Sequence, residues 1–174
     1  MFRAIAVALG LILLSAGRLA AGQLQQPPTS YPLCTSASLA GFPWTHPAFG
    51  KQIPGIALRN MTLSTCHVAG YPRLRAYTAS GRLAPIRFER RPFIDTRIYA
   101  YSVTPGSAVF FAFYGNPPSG EFDRSCVGIT QVDLTLPDDR GPIDVTISTG
   151  TCGGTINYSQ IFPVAELSRP VTAW

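Results

Sequence analysis

Four cysteines, spaced among short alternating apolar runs and following an apolar leader, constrain this chain more than any other feature. Cys34, Cys66, Cys126 and Cys152 are the only thiols. No two of them form the close pair that zinc sites normally use, and the nearest Cys–His neighbours, Cys66 and His67, are adjacent and cannot chelate as a finger pair does. In an exported chain the default use of such thiols is disulfide formation. Four cysteines allow three connectivities. The spacing favours Cys34–Cys66 and Cys126–Cys152, because each pair ties the start of one contiguous half to its close. Each bridge then closes a loop of about 30 residues, worth roughly 3–4 kcal/mol of chain entropy.

The leader sets the compartment. Met1-Phe2-Arg3 precedes an apolar run from Ala4 to Leu14, and small residues follow at Ala20-Ala21-Gly22. This is the pattern of a cleavable export signal, with cleavage expected after Gly22. The run is shorter than the roughly 20 apolar residues of a spanning helix. Gln23 stands where a lipoprotein would need cysteine. The expectation is a secreted or periplasmic protein that is not lipid-anchored and has no integral membrane span after signal cleavage.

Removing Arg3 and Arg18 with the leader lowers the basic count from 14 to 12 against 9 acids, a formal net charge of +3. That balance is mild, and the arginines are scattered except for Arg87, Arg90 and Arg91. A nucleic-acid binder would carry a denser basic stripe within a recognisable module. The cluster reads instead as a solvated edge strand guarded by charge.

Along the chain, residues 23–33 are polar and proline-rich and read as a linker. Residues 42–50 (Phe-Pro-Trp-Thr-His-Pro-Ala-Phe-Gly) read as an aromatic loop punctuated by two prolines. Short strands follow at 55–60, 73–77, 86–90, 98–103, 108–114, 132–136, 143–147 and near 156–158, with 132–136 and 143–147 the cleanest period-2 runs. Leu74 and Ala76 face inward in the second of these, with Arg73 and Arg75 outward. Pro105-Gly106 supplies a tight turn, and residues 138–142 a hairpin-like loop. No segment past the leader sustains a helical apolar repeat. The organisation predicted is a signal peptide (1–22), a linker (23–33), one β domain (34–165) and a tail (166–174). The fold predicted is all-β: a two-sheet antiparallel β-sandwich of immunoglobulin-like type with two disulfides.

The run Val109-Phe110-Phe111-Ala112-Phe113-Tyr114 is apolar on both faces. Either it is a central strand whose outer face is covered, for instance by the 42–50 segment, or Phe110, Ala112 and Tyr114 form an exposed patch used for binding.

The run Ile56-Ala57-Leu58-Arg59-Asn60, followed by Ser64-Thr65-Cys66-His67-Val68-Ala69-Gly70-Tyr71-Pro72, resembles the bacterial domain of unknown function 4232. That family's signature is a strand ending in Arg-Asn, a short polar turn, a cysteine and then Gly-Tyr-Pro. Val103-Thr104-Pro105-Gly106, Cys126, Cys152-Gly153-Gly154 and the early Cys34-Thr35-Ser36 resemble it as well. The likeness spans roughly residues 34–164. It implies an exported β-sandwich, often attached to the envelope, and brings no activity with it. The chain departs from many members in lacking the lipoprotein cysteine. Locally, Gly70 can take positive φ, Pro72 forbids a helix, and Tyr71 can lay its ring over the sheet end, a structural corner rather than a ligand site.

Chemistry is sparse. There are two histidines, His46 and His67, and no Gly-x-Ser-x-Gly elbow. Glu89, Asp95, Glu121 and Asp123 could supply carboxylates for glycoside hydrolysis, but no spacing selects a pair. Asn60-Met61-Thr62 and Asn157-Tyr158-Ser159 are glycosylation sequons that matter only in a glycosylating secretory pathway. No catalytic, cofactor or metal site is predicted. The function expected is a non-enzymatic binding or structural module of the bacterial cell envelope, taking an envelope protein or glycan through Trp44, Phe49, Phe110 and Tyr114. The alternative is a small secreted hydrolase built around His46 or His67.

Overall fold

The computed structural model describes residues 31–48, 51–92, 97–114 and 126–163. Every regular element in them is a strand: β1 (Leu39–Ala48), β2 (Lys51–Asn60), β3 (Cys66–Ala69), β4 (Arg73–Tyr77), β5 (Arg87–Arg90), β6 (Ala100–Val103), β7 (Ala108–Tyr114), β8 (Cys126–Thr135), β9 (Pro142–Cys152), β10 (Thr155–Tyr158) and β11 (Phe162–Pro163). The predicted signal peptide, most of the linker and the C-terminal tail lie outside the described residues. The last residues of the expected linker are bound to the domain: the His67 amide donates to Pro32 O, and Leu33 bridges to His67 in parallel.

The strands form three sheets. The largest runs β1-β2-β7-β10-β5, with β11 also on β7; a second pairs β3 with β6; the third runs β4-β8-β9. Most pairs are antiparallel, as period-2 strands joined by short turns favour. The exception to the expected antiparallel order is β5–β10, which is parallel, with Arg87 opposite Thr155 and Arg90 opposite Tyr158. These two strands lie far apart in sequence, so no hairpin dictates their direction.

Alternation decides what each strand buries. In β4, Ala76 is buried and Leu74 packs on the core, while Arg73 and Arg75 are exposed. In β9, Ile143, Val145 and Ile147 are buried between exposed neighbours. These side chains meet Leu39, Ile56, Leu58, Val109, Phe111, Ile156 and Tyr158 from the largest sheet in one core. Gly41 lets β1 come close to β9, since a Cβ there would clash with Val145 Cγ2 and press on Ile143 Cγ2.

The expected aromatic loop at 42–50 is a strand through Ala48. β1 pairs with β2 in unbroken register from Leu39↔Asn60 to Ala48↔Lys51. Pro43 and Pro47 are four residues apart, so their backbone nitrogens point to the same side. Among the described residues β1 has a strand neighbour on one side only. An edge strand can turn both prolines to its open side and forfeit no ladder hydrogen bond.

β7 is a central strand, buried on both faces from Val109 to Phe113. β10 and β11 follow one another along its other side, at Phe113–Tyr114 and at Val109–Phe110. Ser159 fills the gap between them. Its amide donates to Ala112 O at 3.0 Å, and its hydroxyl accepts from the Ala112 amide at 2.8 Å. A side-chain oxygen thus replaces a backbone carbonyl, and the buried strand keeps its hydrogen bonds.

Both disulfides pair as the spacing favours. Cys34–Cys66 joins the N-terminal segment to β3, and Cys126–Cys152 joins directly opposed residues of β8 and β9. The described residues contain no free cysteine.

Candidate functional site

The outer face of the largest sheet holds most of the residues singled out for binding, and the structure separates them. Phe110 is 1% exposed. It belongs to a second apolar cluster with Ala57, Ala112 and Phe162, against which Phe42, Ile53 and Tyr114 pack. Of the two readings of this face, the covered central strand is the one found, and Phe110 is not available to a partner. The reason is a cross-strand glycine: the Phe110 ring lies where a Cβ on Gly55 would be, 2.5 Å from its position. The ring thereby covers backbone that glycine leaves bare. Tyr114 is half-buried, and burial pushes its phenol well above the usual tyrosine range, with the Ser159 hydroxyl acting the other way.

Trp44 is different. It is 38% exposed on the edge strand. Its ring meets Phe42 edge-on, with centroids 6.2 Å apart at 80°. The Arg59 guanidinium sits 5.2 Å from the Phe42 centroid, within cation–π range. Alternation puts Phe42 and Trp44 on one face of β1, and the register brings Arg59 on β2 beside them. The result is an Arg59–Phe42–Trp44 stripe that is apolar at the edge and cationic inland. Phe49 lies outside the described residues. Phe42 and Arg59 were not among the expected binding residues; their only sequence signal was period-2 spacing, hidden by reading 42–50 as a loop.

The two residues with motif character serve the fold. His67 Nδ1 lies 2.5 Å from Tyr31 O and so anchors the N-terminal segment. Asn60 is 1% exposed. Its Nδ2 donates to Ser64 O and Val103 O, both at 2.8 Å, and its Oδ1 accepts from the Thr62 amide and hydroxyl. The Arg-Asn strand end is a turn hub, and the sequon nitrogen has both protons committed inside the protein. Gly70 has φ +85°, as a corner requires.

On the opposite sheet, a cavity of about 470 Å³ opens along the outer face of β4-β8-β9. Register orders the polar side chains of this sheet face in rows, of which Asp144 lies outside the cavity lining. Arg73 stands opposite Thr135, which stands opposite Pro142; the next row is Arg75, Asp133 and Asp144. Arg140 joins from the β8–β9 loop. Burial raises the Asp144 carboxyl above the usual range, and the Asp133 charge facing it raises it further. The Tyr77 phenol is raised chiefly by its hydrogen bond to Asp133. Among the described residues no group of three His, Cys, Asp or Glu side chains could hold a metal ion.

No family model, no curated protein and no solved structure matches the chain. Its two disulfides fit an oxidising compartment outside the cytoplasm. No helix among the described residues is long and apolar enough to cross a membrane.

Proposed function

We propose that this chain is an exported, non-enzymatic binding module of the bacterial cell envelope, of immunoglobulin-like sandwich type, which takes an envelope protein or glycan on the outer face of β1 and β2. The observation that carries the reading is the Arg59–Phe42–Trp44 stripe. Its exposed indole sits on an edge strand and meets a second ring edge-on, and that second ring carries the Arg59 guanidinium. Aromatic anchors of this kind provide large contact area at low entropy cost. Sheets whose inner faces share one core support the sandwich type, while their number, three rather than two, and the parallel β5–β10 pair depart from the immunoglobulin pattern. The likeness of Cys66 and Gly70-Tyr71-Pro72 to domain of unknown function 4232 supports the export and envelope assignments.

The test is capture from native envelope extract, and on envelope-glycan beads, by the oxidised domain. Trp44→Ala is compared with Leu63→Ala, which removes a fully exposed leucine elsewhere. A ligand held by the wild type and by Leu63→Ala, but lost by Trp44→Ala, supports the reading. Equal retention by Trp44→Ala sinks it. Phe110→Ala is not a usable probe, because it empties a buried cluster.

A further inference from the structure

We propose that the groove on the outer face of β4-β8-β9 is a second binding site, for a phosphorylated sugar or polyol, with Arg73, Arg140 and Thr135 holding the phosphate and Asp133 accepting from a hydroxyl. This site lies on the sheet opposite Trp44 and stands without the reading above.

Charge separates along the groove. In the inner row Arg75 faces Asp133 across the β4–β8 pair, and Asp133 faces Asp144 across β8–β9. The acids in that row answer its arginine. In the outer row Arg73 stands opposite Thr135, with no acid directly across from it. Arg140 stands beside it in the wall of the same cavity.

The acid nearest to Arg140 in sequence does not neutralise it. Asp139 is turned onto backbone amides: Oδ2 accepts from Ser36 N at 2.5 Å, and Oδ1 from Arg140 N at 2.7 Å and Gly141 N at 3.3 Å. Among the described residues the Arg73 and Arg140 guanidinium groups have no hydrogen bond or ion pair. Two such cations beside a hydroxyl donor match a phosphate, which guanidinium recognises through paired N–H···O bonds.

Size and the far end define the rest of the ligand. A cavity of about 470 Å³ falls within the range of small-molecule sites and is large for a bare oxyanion. Gln131 Nε2 donates to Asp133 Oδ1 at 2.8 Å, and the Tyr77 phenol also hydrogen-bonds this carboxylate, so it is held in place. A fixed carboxylate there accepts a hydrogen bond from a hydroxyl and repels a second anion. The ligand class is thus anionic at one end and hydroxylated at the other.

The experiment titrates the oxidised domain with glucose 1-phosphate, glycerol 3-phosphate, inorganic phosphate and glucose, read by backbone amide chemical shifts and calorimetry. The phosphate esters should shift Thr135 and its neighbours saturably, inorganic phosphate should bind more weakly, and glucose should not bind. Arg73→Ala and Arg140→Ala should each weaken ester binding by about tenfold or more, the scale of one charge-assisted contact. Arg82→Ala, at an exposed arginine outside the groove, should leave it unchanged. All three sites are exposed, so thermal unfolding should show the variants folded. No saturable shift with either ester, or shifts that survive both groove variants, would overturn the site. Equal affinity for inorganic phosphate and the esters would overturn the role given to Asp133.

Discussion

Tyr71 and Tyr158 meet edge to face, ring centroids 5.8 Å apart at 89°. That contact locks the corner after β3 to the last long strand of the main sheet. The Tyr158 hydroxyl donates to Pro72 O at 2.9 Å, the Tyr71 hydroxyl donates to Gln160 Oε1 at 3.1 Å, and the Ile161 amide donates to Gly70 O. Arg90 lies over the outer side of the Tyr71 ring, 5.7 Å from its centroid. Burial is the main reason the Tyr71 phenol titrates above the usual range, with Tyr158 adding to it and Arg90 opposing.

Tyr158→Phe keeps the ring and strands the buried Pro72 carbonyl, so it should cost about 1–3 kcal/mol. Tyr71→Phe breaks a less buried bond and should cost about 1 kcal/mol or less. Urea midpoints at unchanged m-value measure both. A Tyr158→Phe midpoint equal to that of the wild type would show that the Pro72 bond adds nothing.

Asn60 should be intolerant of change and silent as a glycan acceptor. Asn60→Ala abandons the Ser64 and Val103 carbonyls and the Thr62 donors together, and a loss of about 3 kcal/mol is expected. Expressed in a glycosylating host, the folded domain should carry no glycan at Asn60. Intact mass and peptide mapping decide this, and an occupied Asn60 would mean that the turn forms after the modification.

The two disulfides should open in a fixed order. Cys34 and Cys66 are 3% and 4% exposed, whereas Cys126 and Cys152 are both partly accessible. Graded reductant followed by alkylation should label Cys126 and Cys152 first. Replacing either pair by alanine should cost about 3 kcal/mol in the loop-entropy model. Simultaneous labelling of all four thiols would instead indicate global unfolding as the route to reduction.

Two acids should give opposite pH signatures. Backbone amides, Ser36 foremost, hold the Asp139 carboxyl below its ordinary value of 3.8. Its stabilisation is present above that pH and lost as pH falls through the lower folded value. Asp139→Ala should therefore be destabilised at neutral pH, with the gap closing below pH 3.8. Asp144 is raised above 3.8 by burial and by Asp133, so the native state loses stability as pH rises through that higher value. Asp144→Asn should be more stable than the wild type above this window and equal to it below 3.8. Thermal midpoints across acid pH test both signs, and parallel curves for the two variants would refute them.

Legibility followed the range of the interaction. β4 has the boundaries that alternation predicts, β7 those of its continuous apolar run, and β10 falls where expected. β8 and β9 extend beyond their clean apolar cores for a physical reason. The β8–β9 register slips between Ile129 and Gln131, and the buried phase moves with it from Ile129 to Val132 and Leu134. A single period-2 template cannot follow such a slip. β1 was hidden because proline marks a loop unless the strand is an edge, and edge position is a property of the sheet.

The Phe110 face shows the same limit. Its apolar pattern favours a covered strand without saying what covers it, and the cover involves Gly55, 55 positions away in sequence and on the neighbouring strand. The sequence by itself determined that the chain is built from strands, that its cysteines pair within each half, and that Arg73 and Arg75 point outward. These depend on neighbours two residues apart or on simple loop closure. Only the tertiary structure decided that Arg73 faces Thr135, that Asp133 faces Asp144, and that Trp44 is exposed while Phe110 is not. Register and sheet order are set by how two apolar faces fit one core, and no local pattern encodes which distant residues that fit brings together.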